Sequence, residues 1–228
     1  MLTVKKCNLF ASNNQTIVNT VNCVGIMGAG IAYEFRLRYP EMYTKYVDLC
    51  TSRQINIGSL WIFKTPDKWV LNFPTKYDWK NPSKIEYLEK GLQKFVETYK
   101  EKEIKSISFP LLGASNGGLS EDISLDIMQK YLSKCDIIID IYQYDPSAYD
   151  DLYIKFKKTF NSLSEKEIVS KSSIGKGFIK KIKLAFEEDD IRSMSQLLTT
   201  DGIGEKTLIK SFNFIMNYRE EKNLFDRI

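Results

Sequence analysis

The feature that most constrains this chain is an alternation of two hydrophobic periods along residues 1–150. Short apolar runs rich in β-branched and aromatic residues predict strands at Val4–Phe10, Thr16–Val21, Leu60–Phe63, Trp69–Phe73, Ile104–Phe109 and Ile137–Tyr142. Helical spacing predicts helices over Gly30–Tyr39, stopped by Pro40, and over Glu41–Thr51, Ser83–Tyr99 and Glu121–Leu132. The Ser83 helix has the clearest stripe, Leu88, Leu92, Phe95, Val96 and Tyr99. Ser83 and Glu86 have the spacing of a capping box. Pro66-Asp67 predicts a turn between the third and fourth strands. Strands alternating with helices imply an α/β fold with a largely parallel sheet, and ligands in such folds sit at the carboxyl ends of the strands.

A length of 228 residues fits one domain of about 150 residues plus a smaller appendage. Hydrophobic residues make up 43% and charged residues 27%, which excludes a disordered or fibrous chain. No apolar run reaches the roughly 18 residues that span a bilayer, and Met1–Lys6 has no signal-peptide core. Cys7, Cys23, Cys50 and Cys135 are widely spaced and form no CxxC pair. The expectation is buried thiols in a cytoplasmic protein, with no zinc site. Histidine is absent, which excludes Ser-His-Asp and Cys-His catalysis and any His-ligated metal. Chemistry must come from Lys, Asp, Glu, Tyr, Ser, Asn or backbone amides, and no metal or cofactor is implied.

Two glycine-rich loops each follow a predicted strand and lead into a predicted helix. The first runs from Asn19 to Gly30 and the second from Pro110 to Leu119. Glycines let consecutive N–H groups converge on an anion, and the following helix N-terminus adds partial positive charge. Two such loops on one sheet edge predict a diphosphate cradle, set against the simpler reading that the glycines only shape turns. Neither loop is a P-loop or a Rossmann fingerprint.

The string Val18-Asn19-Thr20-Val21-Asn22-Cys23-Val24-Gly25-Ile26-Met27-Gly28-Ala29-Gly30-Ile31-Ala32, with Phe35 and Tyr39-Pro40, resembles the first ADP-ribose loop of the macrodomain family. Asn116-Gly117-Gly118-Leu119 resembles its second loop. Asn72-Phe73-Pro74-Thr75-Lys76, with Trp79 downstream, looks like the DarG-type branch of DNA ADP-ribosyl glycohydrolase antitoxins. This resemblance, over roughly residues 1–150, implies a three-layer α/β/α macrodomain with a mixed, largely parallel sheet. It implies an ADP-ribose ligand and removal of ADP-ribose from nucleobases in DNA, reversing a partner ADP-ribosyltransferase toxin.

Carried over by position, Lys76 is the catalytic lysine and Asn22 lies near the distal ribose, with Thr75 beside them. Gly28, Ala29, Gly30 and Ile31 line one side of the diphosphate. Gly113, Ser115, Asn116, Gly117, Gly118 and Leu119 line the other. Asn8 and Leu9, with Phe10, occupy the adenine end. The chain departs from family patterns at Cys7-Asn8-Leu9, where many macrodomains have Gly-Asp-Ile/Leu. It also lacks a carboxylate in the second loop, unlike the related terminal ADP-ribose glycohydrolases.

The chemistry of lysine fits this role. Cleaving an N-glycosidic bond builds oxocarbenium character and requires a proton for the departing base. A neutral Lys can attack the anomeric carbon, and a protonated one can hydrogen-bond the leaving group. The plainer reading of Lys76 is a surface lysine, or one that only neutralises the diphosphate. Asp78 and Glu121 are possible auxiliary acids. Tyr77 and Trp79 either stack on a base or ribose or simply pack.

Residues 162–228 predict a small all-α domain, with the boundary of the macrodomain near residue 152. Leu152–Lys183 holds nine lysines and two glutamates, a net +7, before the acidic run Glu187–Asp190. That patch suits a polyanion, or is a solvated helix face. Leu197-Leu198 through Gly202-Ile203-Gly204 to Leu208-Ile209 resembles a helix-hairpin-helix, with Lys176, Gly202, Gly204 and Lys206 as candidate contacts to nucleic-acid phosphates. The same glycines can instead merely cap helices, and the region can instead dock a protein. Two further functions remain open for the whole chain. One is a non-catalytic ADP-ribose reader. The other is a hydrolase acting on ADP-ribosylated protein or RNA, or on a small ADP-ribose derivative.

Overall fold

The structure, a computed structural model, describes residues 1–148 and 150–219. It divides into two compact units, Met1–Ala148 and Tyr149–Ile228.

The first unit is built on six strands: β1 (Leu2–Lys6), β2 (Thr16–Val21), β3 (Trp61–Lys64), β4 (Trp69–Pro74), β5 (Ser106–Pro110) and β6 (Ile138–Gln143). They lie in the order β1-β6-β5-β2-β4-β3, with only β3 antiparallel to its neighbour. Helices α1 (Gly30–Arg38) and α2 (Pro40–Thr51) cover one face, and α3 (Ile85–Thr98) and α4 (Glu121–Leu132) the other. Alternation along each strand feeds two cores. Ile17, Val21 and Val70 pack with Phe35, Met42 and Tyr46, while Val18, Leu71, Phe73, Ile107 and Phe109 pack with Leu88, Leu92 and Met128. This is the three-layer α/β/α arrangement with a mixed, mostly parallel sheet.

Local exceptions have local causes. Gly91 sits inside α3, where glycine costs roughly 1 kcal/mol against alanine. A Cβ there would stand 2.2 Å from the Phe73 ring. Burying a Phe ring contributes about 1.5–3 kcal/mol, so the close approach wins. Asp140 interrupts the apolar β6 yet is 6% exposed. Its carboxylate accepts from Lys5 Nζ at 2.8 Å and Asn14 Nδ2 at 2.9 Å, and that bond holds the Lys5 ammonium above its ordinary pKa.

Two sequence expectations are corrected. The first strand ends at Lys6 rather than running to Phe10. Asn8 Oδ1 accepts the Phe10 N–H at 2.9 Å and starts a 3-10 turn over Leu9–Ala11. The Ser83–Glu86 capping box does not form. Lys84 is the N-cap of α3 and has no side chain that can accept a bond, while the Ser83 N–H that Glu86 would cap donates to Gly117 of the second glycine loop.

The second unit is all-helical among its described residues: α5 (Asp151–Ser162), α6 (Glu165–Ser172), α7 (Lys176–Ala185), a 3-10 segment Ser195–Thr199, and α8 (Glu205–Asn217). Leu197-Leu198 thus lies in a 3-10 turn rather than an α-helix. Phe156, Phe160, Phe186 and Phe214 form its centre, with ring centroids 5.0–6.3 Å apart. Asp150 is fully buried. It accepts from the N–H of Tyr153, capping α5, and from the N–H of Met194 at 2.9 Å. We expect Asp150→Ala to lose the cap and strand a buried donor, destabilising this unit by about 2–4 kcal/mol. Denaturant melts followed by helical circular dichroism check this, and an unchanged midpoint would refute it.

Candidate functional site

Strand order determines where the site forms. β5, β2 and β4 are parallel neighbours, so their carboxyl ends deliver three loops side by side: Pro110–Leu119, Asn22–Gly30 and Thr75–Pro82.

The first loop is held by its own asparagine. Asn22 is 6% exposed. Its Oδ1 accepts from Val24 N at 3.0 Å, Ile26 N at 3.3 Å and the Tyr46 hydroxyl at 3.1 Å. Its Nδ2 donates to the Ile26 carbonyl at 2.6 Å. Asn22 therefore works mainly as the staple of the loop, with little capacity left for a ribose. Tyr46, from α2, also donates to the Asn22 carbonyl at 2.7 Å, and burial raises its phenol pKa. Gly28 and Ala29 are exposed, and Ile31 is half-buried against the core. Gly30 has φ +57° and begins α1. The N-cap of α1, Ala29, contributes no side-chain bond, so the first-turn N–H groups stay available to an anion.

The second loop folds back on itself. Ser115 (φ 49°) opens a 3-10 turn that Gly118 closes at φ 82°. Gly117 N–H donates to Ala114, Gly118 to Ser115 and Leu119 to Gly113. Ser115 and Asn116 are exposed, and their N–H groups make none of these turn bonds. Gly113 is boxed in, since a Cβ there would lie 2.9 Å from Leu119 and 3.1 Å from Ser83. Ser83 N–H donates to the Gly117 carbonyl at 2.8 Å and supports the loop from below. The helix α4 that follows is already capped by Ser120, which accepts from Ile123 N at 3.3 Å. On this side the anion donors are therefore loop amides rather than a helix end.

Lys76 links the two sides. It follows the buried Thr75, whose N–H extends the β4–β2 ladder to Val21 at 2.9 Å. Its half-exposed Nζ donates to the Asn116 carbonyl. The Asn116 side chain in turn lies against Gly30, where a Cβ would stand 2.6 Å from its Nδ2. Lys76, Asn116 and Gly30 thus form one cluster that joins the three loops. Cys23, a buried thiol as expected, ties the Lys76 segment to the first loop. Its N–H donates to the Tyr77 carbonyl at 2.9 Å and its thiol faces the Lys76 carbonyl at 3.5 Å. Burial pushes that thiol up to about 12, leaving it unreactive.

Other sequence candidates lie differently. Leu9 is buried in the core at 5% exposure, and the side-chain oxygen of Asn8 accepts the Phe10 N–H of its own turn. Asp78 Oδ1 accepts from Lys80 N at 2.9 Å and so pins its turn. Glu121 Oε2 accepts from Gln143 at 3.5 Å. Lys176, Gly202, Gly204 and Lys206 belong to the second unit.

In that unit one turn occurs twice. Ser173 (φ 56°), buried Ile174 and Gly175, the N-cap of α7, match Gly202 (φ +72°), buried Ile203 and Gly204, the N-cap of α8. The match is reciprocal. Lys181 of α7 donates to the Asp201 carbonyl in the second turn, and Lys210 of α8 donates to the Ser173 carbonyl in the first.

A family model of the Macro domain matches residues 18–128. The macrodomain of Mycobacterium tuberculosis DarG, a solved structure, is 37% identical at a TM-score of 0.60, covering 62% of this chain and 97% of that one. The chain belongs to the macrodomain family. Among curated relatives, the DNA ADP-ribosyl glycohydrolase of M. tuberculosis is 38% identical over 153 residues, 65% of this chain and 43% of that protein. A Thermosipho africanus "DNA ADP-ribosyl transferase-DNA ADP-ribosyl glycohydrolase fusion protein" is 34% identical over 160 residues, 62% of this chain and 41% of that protein. The solved T. africanus DarTG in complex with ADP-ribose is 35% identical, with a TM-score of 0.60 over 62% of this chain and 41% of that one. The chain thus spans less than half the length of these full-length relatives.

The Tyr46–Asn22 bond yields a direct test. Tyr46→Phe removes the donor to a buried carbonyl and should cost about 1–3 kcal/mol in a chemical melt. A loss below about 0.5 kcal/mol would mean the loop holds itself without α2.

Proposed function

We propose that this protein is an ADP-ribosyl glycohydrolase that removes ADP-ribose from modified nucleobases in DNA. The observation that carries the reading is the Lys76 ammonium bonded to Asn116 of the second glycine loop, whose side chain lies against Gly30 of the first. Two anion-seeking loops suit a diphosphate, and a lysine between them suits the distal ribose. In the reaction the C1″–N bond breaks, its electron pair leaves with the base, which takes up a proton, and water ends on C1″. Lys76 serves this either as hydrogen-bond donor to the leaving base or as a nucleophile on C1″. The second loop holds no carboxylate from Pro110 to Ser120, so the chemistry rests on lysine rather than on a lysine–carboxylate pair.

The names of the relatives support DNA as the polymer and a cognate ADP-ribosyltransferase as the activity being reversed. The nine lysines of Leu152–Lys183 and the duplicated Gly turns support a second unit that grips phosphates, with Lys176, Gly202, Gly204 and Lys206 at the contact. Among the described residues no helix is long and apolar enough to cross a membrane. The four free thiols fit a reducing cytoplasm.

The test is release of ADP-ribose from single-stranded DNA carrying an ADP-ribosylated thymine or guanine. Wild type should release it and Lys76→Ala should be slower by at least ~100-fold. Borohydride added during turnover should trap an adduct on Lys76 only if the lysine attacks. No release from wild type that still binds ADP-ribose would replace this reading with that of a reader, or of a hydrolase with a protein or RNA substrate.

A further inference from the structure

We propose that Tyr77 and Trp79 form a stacking platform for the nucleobase adjoining the modified one on single-stranded DNA. The inference rests on the glycohydrolase reading and names the feature that makes the cleft select a polymer. It starts from an anomaly of burial. The aromatic side chains of the first unit are buried or half-buried, with Phe35, Phe73 and Phe95 at most 1% exposed, except for Tyr77, Trp79 and the separate Tyr144. Tyr77 and Trp79 are 57% and 52% exposed. They flank Asp78 immediately after Lys76, so the sequence option that they simply pack does not describe them.

Their turn is nevertheless fixed. The Tyr77 carbonyl accepts from Cys23 N–H at 2.9 Å, Asp78 Oδ1 from Lys80 N–H at 2.9 Å, and the Asp78 carbonyl from Asn81 N–H at 3.2 Å. Exposed rings on a pinned turn are preorganised, so docking a base there costs little ordering entropy. The adjoining first loop adds Val24 and Ile26, 40% and 41% exposed, which extends the apolar rim.

Charge points to the occupant. Lys76–Lys84 contains three lysines and one aspartate. Lys80 Nζ lies 5.5 Å from the Trp79 ring centroid. Aromatic faces with interleaved lysines match a strand of stacked bases and phosphates better than an apolar peptide. A base held in a duplex presents only its edges, so the platform requires an unpaired strand.

The experiment uses the full chain. Adding unmodified oligothymidine of about ten nucleotides should quench tryptophan emission, and Trp79→Phe should abolish that quench, since the indole stacked on the base is then absent and Trp61 and Trp69 lie outside the platform. On an ADP-ribosylated oligonucleotide, Trp79→Ala and Tyr77→Ala should each raise KM by about 5- to 150-fold, with kcat within about twofold. KM values equal to wild type in the double variant, with wild type active, overturn the platform and leave the glycohydrolase reading standing. If wild type cleaves no DNA, the glycohydrolase reading fails and the quench alone decides. A quench unchanged in Trp79→Phe overturns the platform, and its loss retains it.

Discussion

The site depends on one topological constraint: β2 lies between β5 and β4, and all three run parallel. Parallel neighbours end on the same edge, so the residues that follow them must meet there. β2 is buried along nearly its whole length, with Ile17 and Val21 facing one core and Val18 the other. Its register is therefore set from both sides, since a one-residue slip would exchange the two sets of side chains. Paired to β4 from Thr16–Trp69 to Val21–Pro74, it fixes where Lys76 emerges relative to Asn22.

On that frame the loops spend much of their own polar capacity on internal order. Asn22 holds the first loop, Gly113 and Gly117 carbonyls hold the second, and Cys23 joins the first to the Lys76 segment. What these bonds leave over is the exposed amides of Ser115 and Asn116, the uncapped start of α1, and the Lys76 ammonium. That remainder is cationic and donor-rich, the complement of a diphosphate. The Lys76–Asn116 bond joins the β4 loop to the second glycine loop, so on the proposed reading a ligand exchanges one carbonyl acceptor for phosphate or ribose oxygens instead of creating an interaction from nothing. The second unit repeats the same economy, with Lys181 and Lys210 each closing the partner turn of a duplicated motif.

Much of this was legible in the sequence. Thr16–Val21 and Glu121–Leu132 match the observed elements end for end, the strand marked by its β-branched residues and the helix by its apolar spacing. The glycine loops were legible because glycine at positive φ is a backbone requirement, as at Gly30, Gly113 and Gly118. Tertiary partners were not. Nothing local marks Tyr46, an ordinary residue of α2, as the donor that holds Asn22. Nothing local diverts Ser83 from its capping box to the underside of the second loop. Asn8 was placed in a strand since Leu9 and Phe10 look apolar. The Asn side chain's bond to its own backbone decided otherwise. The exposure of Tyr77 and Trp79 was equally invisible, as aromatic residues in a turn read alike whether packed or presented.

The central claim is that the three loops form one ADP-ribose site with the diphosphate as its anchor. Isothermal titration calorimetry of the full chain with ADP-ribose, ADP and AMP tests it most directly. The account predicts one ADP-ribose per chain, ADP retained within about tenfold, and AMP weaker by a further ~10-fold or more for the lost phosphate. Equal affinity for AMP and ADP, or no heat with ADP-ribose, would contradict it.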